Sequence, residues 1–216
     1  MEEATLEDGT ILRVIDTPGL GEEGKSNSAT LNEVAQSVRM ASPLGVSALL
    51  YVLSLSARVT EEEIIAYDRL VSLFGPMMRQ RTVVVWTHGS SLGETSLEEY
   101  LEGAPPRLRT LLDDAGGGSV ILENETMLLT EPVHMQVERV KIAATKALNA
   151  FGGHSYDEKD LILAEKEANV RHHFGFKPLG ALNMKQARRV RQELNRINEN
   201  EKVEQEGSSK GVCCVS

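Results

Sequence analysis

The chain has 216 residues, of which 41% are hydrophobic and 25% are charged, and these proportions are typical of one soluble globular domain. Its 32 acidic residues exceed its 23 basic ones and give a net charge of -9. This balance argues against general nucleic-acid binding, which needs a basic face. The two cysteines, Cys213 and Cys214, are adjacent, which excludes a disulfide framework and a cysteine-built zinc site. The polar first residues and the lack of a long apolar stretch predict a cytoplasmic protein.

Short apolar runs alternate with helical patterns along the first part of the chain. The runs that we predict to be strands cover residues 11–15, 48–53, 82–86 and 120–122. The second of these runs is apolar throughout, as in a strand that is buried on both faces. Because helical patterns lie between the strands, we predict a parallel sheet with helices on both faces.

Two capping boxes mark the beginnings of predicted helices. Thr60 is followed three positions later by Glu63, and Ser96 is followed in the same way by Glu99. In such a pair each side chain accepts a hydrogen bond from the backbone N–H of the other residue. The first of these helices is predicted to end at Gly75, because glycine terminates helices readily.

From residue 131 onward no strand pattern recurs. Helical patterns cover residues 131–150, 156–173 and 183–200. After residue 200 the chain is rich in Glu, Gln, Gly, Ser and Lys, which bury too little apolar surface to fold alone. We therefore predict an α/β domain over 1–150, a helical extension over 151–200 and a flexible tail over 201–216.

Ligands of open parallel sheets bind outside the carboxyl ends of the strands, so the residues that follow each strand are candidates for a site. Asp16 and Gly19 follow the first predicted strand. A carboxylate there holds a metal-bound water, and a glycine lets a backbone N–H approach a phosphate closely. Asp and Gly are also common in ordinary turns, so these two residues alone leave both interpretations open.

An ordered set of motifs at these positions resembles one known family. The strings are V-I-D-T-P-G-L at 14–20, L-L-Y-V-L-S-L at 49–55, T-V-V-V-W-T-H-G at 82–89 and V-I-L-E-N at 120–124. In this order they are similar to the immunity-associated nucleotide-binding GTPases of the avirulence-induced-gene or GIMAP type, relatives of septins and chloroplast import GTPases. The resemblance covers roughly residues 10–167. It implies a P-loop-NTPase-like, mostly parallel sheet flanked by helices, with a helical carboxyl-terminal extension.

The resemblance implies that GTP or GDP binds at the strand ends together with Mg²⁺. Asp16 would hold the magnesium ion through a water molecule, and the Gly19 amide would contact the γ-phosphate. Thr87 and His88 would lie beside the purine, with His88 stacking on the base or hydrogen-bonding to it. The alternative for His88 is an ordinary turn or helix-capping histidine.

The second base-binding loop would consist of Glu123 and Asn124. For Asn124 an ordinary Asn turn is an equally good interpretation. The resemblance also implies that a homodimer, formed through the G domain, supports hydrolysis.

Three departures from the family pattern limit what the resemblance implies. The P-loop string G-x-x-x-x-G-K-[ST] does not occur in the sequence, so we expect an incomplete G domain over 1–150, truncated at its amino end. Ser90 takes the place of the family's base-reading Asp, and one hydroxyl cannot accept both N–H donors of guanine. Leu20 stands where small GTPases have a water-orienting Gln, so no catalytic residue is named.

The last four residues, Cys-Cys-Val-Ser, match the C-a-a-X prenylation motif with the serine that is typical of farnesylation. The alternative is a chance cysteine four residues from the end. We expect a prenyltransferase to modify Cys213 and part of the protein to associate with the cytosolic face of a membrane. One isoprenoid anchors weakly, so a second signal is needed. The candidates for it, with glutamates between them and the tail, are Arg188, Arg189, Arg191 and Arg196.

Two functions remain open from the sequence. The first is a GIMAP-like GTP-binding protein that acts as a membrane-associated, nucleotide-dependent switch or scaffold, with slow or dimer-assisted hydrolysis. The alternative is a nucleotide-free G-domain relic that serves as a protein-interaction module. Neither interpretation involves nucleic acid.

Overall fold

The computed structural model describes residues 1–19, 27–125, 127, 131–150, 152–177 and 182–209. Leu20 and Cys213 lie outside the described residues. The strands are β1 (Glu2–Thr5), β2 (Ile11–Val14), β3 (Leu49–Ser54), β4 (Thr82–Thr87) and β5 (Gly118–Ile121). The helices are α1 (Asn27–Met40), α2 (Glu61–Phe74), α3 (Leu97–Leu101), α4 (Pro106–Asp114), α5 (Val133–Asn149), α6 (Glu158–His173) and α7 (Met184–Ser209). Two 3-10 helices, Pro76–Arg81 and Gly89–Leu92, flank β4.

The centre of the fold is a three-stranded parallel sheet with the order β3-β4-β5. The strand register places Ser54 beside Thr87 and Trp86 beside Ile121. The three carboxyl ends therefore lie at one edge of the sheet. This arrangement confirms the predicted α/β class, with parallel strands, flanking helices and a helical carboxyl-terminal part.

The β-branched sequence of β4 suits its central position, because both of its faces are covered. Val84 and Trp86 pack in a cluster with residues of α2 and α4. Val83 and Val85 pack on the other face against Ala143 of α5. The predicted helices on both faces of the sheet are thus confirmed.

A second apolar cluster joins α1, α2 and α6. Tyr156 and Leu161 belong to it and are 3% and 0% exposed. The Tyr156 hydroxyl donates a hydrogen bond to the Phe74 carbonyl at 2.9 Å. The backbone of Tyr156 also exchanges two hydrogen bonds of 2.8 Å with Val46. The beginning of the carboxyl-terminal helical part is therefore packed into the core.

The amino-terminal strands form a hairpin of their own. The predicted strand at 11–15 is present as β2, but it pairs antiparallel with β1 and does not join the parallel sheet. No sequence pattern predicts β1, because its residues, Glu-Glu-Ala-Thr, carry no apolar alternation. An ion pair between Arg13 and Glu3 joins the two strands, and one between Asp8 and Lys141 connects the turn to α5.

Local sequence signals place several helix boundaries correctly. Both predicted capping boxes form, at Thr60 with Glu63 and at Ser96 with Glu99. α2 ends before Gly75, whose φ of 81° favours glycine. Helix α1 was not predicted.

Helix α7 runs nine residues past the predicted end at 200 and reaches Ser209. Residues 201–206 are mostly Glu, Gln and Lys, which are good helix formers, and Glu201 pairs with Lys166 of α6 at 2.6 Å. Residues 210–216 of the predicted tail lie outside the described residues. None of the helices in the described part of the chain has the length and apolarity that a membrane crossing requires.

Candidate functional site

Backbone hydrogen bonds hold together the loops that follow the three parallel strands. The Leu55 N–H donates to the Thr87 carbonyl at 2.9 Å, and the Leu122 N–H donates to the Trp86 carbonyl at 2.7 Å. The Gly89 N–H donates to the Leu122 carbonyl at 3.0 Å. The pairing of the strands thus continues into the loops and fixes the relative positions of their side chains.

Hydroxyl groups surround one ring nitrogen of His88. The Nδ1 atom lies 3.2 Å from Ser54 Oγ and 3.2 Å from Thr87 Oγ1. Ser54 Oγ is also 2.8 Å from Ser56 Oγ, and Thr87 Oγ1 donates to the Leu53 carbonyl at 3.3 Å. The ends of β3 and β4 are therefore linked through the imidazole of His88.

The backbone of His88 has a left-handed conformation, with φ 58° and ψ 50°. Among the described residues, no other residue besides glycine has a positive φ. Such conformations cost free energy in residues with a side chain and are concentrated at functional sites. His88 precedes the 3-10 helix Gly89–Leu92, but its side chain makes no capping hydrogen bond. The His88 side chain therefore does not cap this helix, although the residue occupies the N-cap position, and the alternative of an ordinary turn histidine stays open.

Gly89 allows the loop after β4 to pass close to β5. A Cβ atom at this position would lie 2.8 Å from Ile121 Cγ2 and 3.3 Å from the Leu122 carbonyl oxygen. A larger residue would push the loop away from this edge, so the glycine keeps the loop after β4 against the end of β5.

Glu123 connects the loops that follow β4 and β5. Its Oε2 atom accepts a hydrogen bond from the Ser90 N–H at 2.8 Å, and its Oε1 atom accepts one from the Glu125 N–H at 2.8 Å. Hydrogen bonds from Ser90 and from the Glu125 backbone lower the pKa of the Glu123 carboxyl to about 2. The carboxylate is ionised at neutral pH, and an ionised carboxylate has about four lone-pair sites, so further acceptor capacity remains.

Gln136 of α5 supports this loop and is not among the residues predicted from the sequence. Its Oε1 atom accepts a hydrogen bond from the Glu123 N–H at 2.7 Å, and its Nε2 atom donates to the Glu123 carbonyl at 3.4 Å. Gln136 is 5% exposed and shares the inward face of α5 with Ala143 and Ala147. An uncharged polar residue in the apolar stripe of a helix was the available sequence signal.

The structure brings together only part of the predicted site. Thr87 and His88 are hydrogen-bonded to each other, and Glu123 is bonded to the adjacent loop, with Asn124 exposed beside it. Asp16 and Gly19 are exposed in the segment after β2, and β2 belongs to the separate hairpin. Strand pairing therefore does not place these two residues at the edge of the parallel sheet.

No group of three or more His, Cys, Asp or Glu side chains is arranged to hold a metal ion in the part of the chain that the structure describes. A magnesium ion does not require such a group, because it is usually held by one or two carboxylates, substrate phosphates and water. The single carboxylate of Asp16 fits this pattern in its chemistry.

The parallel sheet, its flanking helices and the polar residues at its carboxyl edge define an α/β protein with a candidate ligand site at the ends of its strands. A family model described as the AIG1 family matches residues 1–173. The chain therefore belongs to the AIG1 family, and the resemblance stated from its motifs is confirmed.

Curated relatives from Arabidopsis thaliana support this assignment. Immune-associated nucleotide-binding protein 1 is 36% identical over 129 residues, which cover 58% of this chain and 57% of the relative. Immune-associated nucleotide-binding protein 10 is 29% identical over 214 residues, which cover 95% of this chain and 45% of the relative. The chain thus spans about half the length of these relatives.

A crystal structure of Toc33 from Arabidopsis thaliana, a dimerization-deficient mutant, matches with 22% identity, a TM-score of 0.47 and 69% coverage of each chain.

Proposed function

We propose that this chain binds a guanine nucleotide, GTP or GDP, at the carboxyl edge of β3, β4 and β5. The observation that carries the proposal is the linked arrangement of Thr87, His88 and Glu123 at that edge. Membership of the AIG1 family, whose relatives are named nucleotide-binding proteins, supports it.

The base would lie against His88 and the loop that contains Glu123. The Nδ1 side of the imidazole already contacts Ser54 and Thr87, so the ring face and Nε2 are the parts available for a purine. The ionised Glu123 carboxylate accepts N–H donors such as those of guanine. Because Ser90 has no carboxylate, Glu123 is the acceptor on which guanine selectivity would rest. The Asn124 side chain would lie beside the base as the other residue of this loop.

The phosphates would extend toward Asp16 and Gly19. Asp16 would hold Mg²⁺ through water, where the ion would neutralise phosphate charge, and the Gly19 N–H would contact the γ-phosphate. The sequence contains no G-x-x-x-x-G-K-[ST] string, which normally cradles the β-phosphate. The second candidate function is a nucleotide-free protein-interaction module.

Titration with a fluorescent GTP analogue in the presence of Mg²⁺ separates the two functions. Binding with a Kd below about 10 μM supports the nucleotide-binding protein, and no binding at several hundred μM supports the interaction module. His88→Ala is expected to weaken binding about tenfold or more, because the contact with the base is lost. His154→Ala removes an exposed histidine outside the site and is the matched control.

Competition in the same assay tests base selectivity, and release of inorganic phosphate from GTP measures turnover. GTP is expected to displace the analogue more readily than ATP if Glu123 reads the guanine edge, and Glu123→Gln is expected to reduce that preference.

Hydrolysis is proposed to be slow or dimer-assisted, so the rate of GTP hydrolysis per chain is expected to rise with protein concentration. A rate per chain that does not change with concentration would contradict dimer assistance.

For the cell, we propose a membrane-associated, nucleotide-dependent switch or scaffold that is otherwise cytoplasmic. The support is the C-a-a-X sequence at the end of the chain, which predicts that a prenyltransferase modifies Cys213. Cys213→Ser is expected to lower the membrane-bound fraction, whereas Cys214→Ser keeps the modified cysteine and is the control. Equal membrane-bound fractions for the wild type and Cys213→Ser would contradict the proposal.

A further inference from the structure

The stretch from the end of α6 to the middle of α7 differs in charge from the rest of the chain. Between Glu167 and Glu193 lie 25 residues without an acidic side chain, although the chain has 32 acidic residues among 216. Five exposed cations lie in this stretch, and we call them the basic arm: Lys177, Lys185, Arg188, Arg189 and Arg191.

In the part of the chain that the structure describes, the cations of the basic arm lack an acidic partner, in contrast to many cations elsewhere. Nine other arginines and lysines form ion pairs with carboxylates, for example Arg79 with Asp114 at 2.8 Å. Within the described ranges, no ion pair joins a member of the basic arm to a carboxylate. Among the described residues, no carboxylate therefore neutralises this local excess of positive charge.

The order of charges along α7 also works against the stability of the helix. The N-terminus of a helix carries partial positive charge and favours acidic residues, and the C-terminus favours basic ones. In α7 the first turn contains Lys185 and no acidic residue, whereas the last turn contains Glu206 and no basic residue. Arg188 is also three residues from both Lys185 and Arg191, and like charges at this spacing repel. Helix stability does not explain this arrangement.

The contacts of α7 leave most of the basic arm facing outward. Val190 is 4% exposed, so the helix is anchored on its inner side. The guanidinium of Arg189 lies over the ring of Phe174, 4.3 Å from its centroid, and is held by this contact. Lys185, Arg188 and Arg191 are exposed, and Met184 beside them is 92% exposed.

We propose that the basic arm binds the headgroups of anionic lipids at a membrane surface. The inference rests on the membrane association proposed above and names the lipid class involved. A layer of anionic lipid attracts exposed Lys and Arg without a preformed groove, and each such residue near the surface increases binding about fivefold. One isoprenoid anchors only weakly, so a second signal of this kind makes the association stable.

The chemistry of the surface favours a lipid layer over a protein partner. The centre of a specific protein interface is usually apolar and aromatic and poor in charge. Among the described residues between Glu167 and Glu193, Met184 is the one large hydrophobic side chain that is exposed. An exposed methionine next to cations suits shallow contact with the lipid interface.

The test uses the full chain made without a prenyltransferase, so that headgroup binding is measured apart from lipidation at Cys213. We expect the wild type to sediment with vesicles of phosphatidylcholine containing about 30% phosphatidylserine, and not with pure phosphatidylcholine. Binding is expected to decline steeply when the salt concentration rises from about 0.1 M to about 0.5 M.

Two variants that each lose three positive charges complete the experiment. Lys185→Gln with Arg188→Gln and Arg191→Gln is expected to lower the partition coefficient about 100-fold, because three contacts of about fivefold each are lost. The control combines Arg58→Gln, Lys146→Gln and Lys159→Gln, all exposed and outside the basic arm, and is expected to bind like the wild type. Circular dichroism verifies that both variants are folded.

Three results would overturn the proposal. The first is equal binding of the wild type to neutral and anionic vesicles, and the second is an equal loss of binding in both triple variants. The third is binding to an acidic polypeptide, lost in the basic-arm variant, without binding to vesicles. The protein in this test carries no prenyl group, so a lack of vesicle binding would leave the prediction for Cys213 intact. Conversely, a loss of membrane association in Cys213→Ser would not by itself support lipid binding by the basic arm.

Discussion

The parallel sheet and the amino-terminal hairpin both carry candidate ligand-binding residues at their ends, but they differ in burial. The first five residues of β4 are buried, whereas Ile11 and Val14 of β2 are 56% and 44% exposed. The loops after β3, β4 and β5 are bonded to one another, and an ion pair between Asp8 and Lys141 connects the hairpin to α5. The residues proposed to contact the base thus lie on a rigid, packed support, and Asp16 lies on a lightly packed one.

This contrast matters for binding because preorganised groups lose little entropy when a ligand arrives. His88 and Glu123 already have their orientation from hydrogen bonds within the protein. The hairpin gains far less from burial, so its position depends more on polar contacts at the surface. We expect the two regions to respond differently to the same kind of change.

The largest expected difference is in the free energy of unfolding after truncation of an aliphatic side chain. Leu53 of β3 is 2% exposed, so Leu53→Ala is expected to lower the free energy of unfolding by about 3 kcal/mol through lost burial and a cavity. Ile11→Ala in β2 is expected to cost less than about 1 kcal/mol, because the side chain is largely in water already. Urea denaturation of both variants measures this. Similar costs would mean that the hairpin is packed as tightly as the sheet.

A smaller effect is expected at the link between the loops. The pKa of Glu123 is lowered from 4.5 to about 2, so its ionised form stabilises the fold above pH 4.5, and this contribution is lost as the pH falls toward 2. Glu123→Gln is therefore expected to be less stable than the wild type at neutral pH, and the difference is expected to shrink at about pH 3. Urea denaturation at both pH values measures this difference.

Glu125→Gln is the control for this experiment, because Glu125 contributes its backbone N–H and not its side chain to the link. Its stability relative to the wild type is expected to be unchanged at neutral pH. A stability difference between Glu123→Gln and the wild type that is constant from neutral to acidic pH would contradict the role of the ionised carboxylate.

The smallest expected effect concerns the hairpin. The hydrogen bond from Lys141 lowers the pKa of the Asp8 carboxyl, which is therefore ionised at neutral pH. Asp8→Asn removes the ion pair but keeps an oxygen that accepts the Thr10 N–H, at 2.9 Å in the wild type. Amide hydrogen exchange is expected to become faster in β1 and β2 and to stay unchanged in β4. Glu7→Gln, at the neighbouring position, is the control, and equal exchange in wild type and Asp8→Asn would show that the ion pair does not hold the hairpin.

The sequence predicted those parts of the fold that local signals determine. The β-branched run of β4 and the hydroxyl-glutamate spacing at Thr60 and Ser96 are sufficient for a strand and two helix starts. The pairing of β2 with β1 depends on a partner strand without apolar alternation, so no local pattern indicated it. The extra turns of α7 depend in part on a contact of Glu201 with Lys166, which is distant in sequence.

The sequence predicted the positions of several candidate site residues but not the directions of their side chains. The rule that ligands bind at the carboxyl ends of parallel strands led directly to Thr87, His88 and Glu123, which the structure places at one edge. The direction of each side chain was not predictable, because the bonds of His88 to Ser54 and of Glu123 to the Ser90 N–H are tertiary contacts. For Asp16 and Gly19, the interpretation as a ligand loop remains a prediction.

The packing of Tyr156 and Leu161 has a consequence for where the chain divides. Both side chains close the cluster formed with α1 and α2, so a fragment that stops at residue 150 would open that cluster to water. A fragment that includes α6 keeps the cluster complete, and the family match ends at residue 173, the last residue of α6. The apolar cluster is thus completed within the residues that the family match covers, and α7, which packs on α6, lies beyond that match.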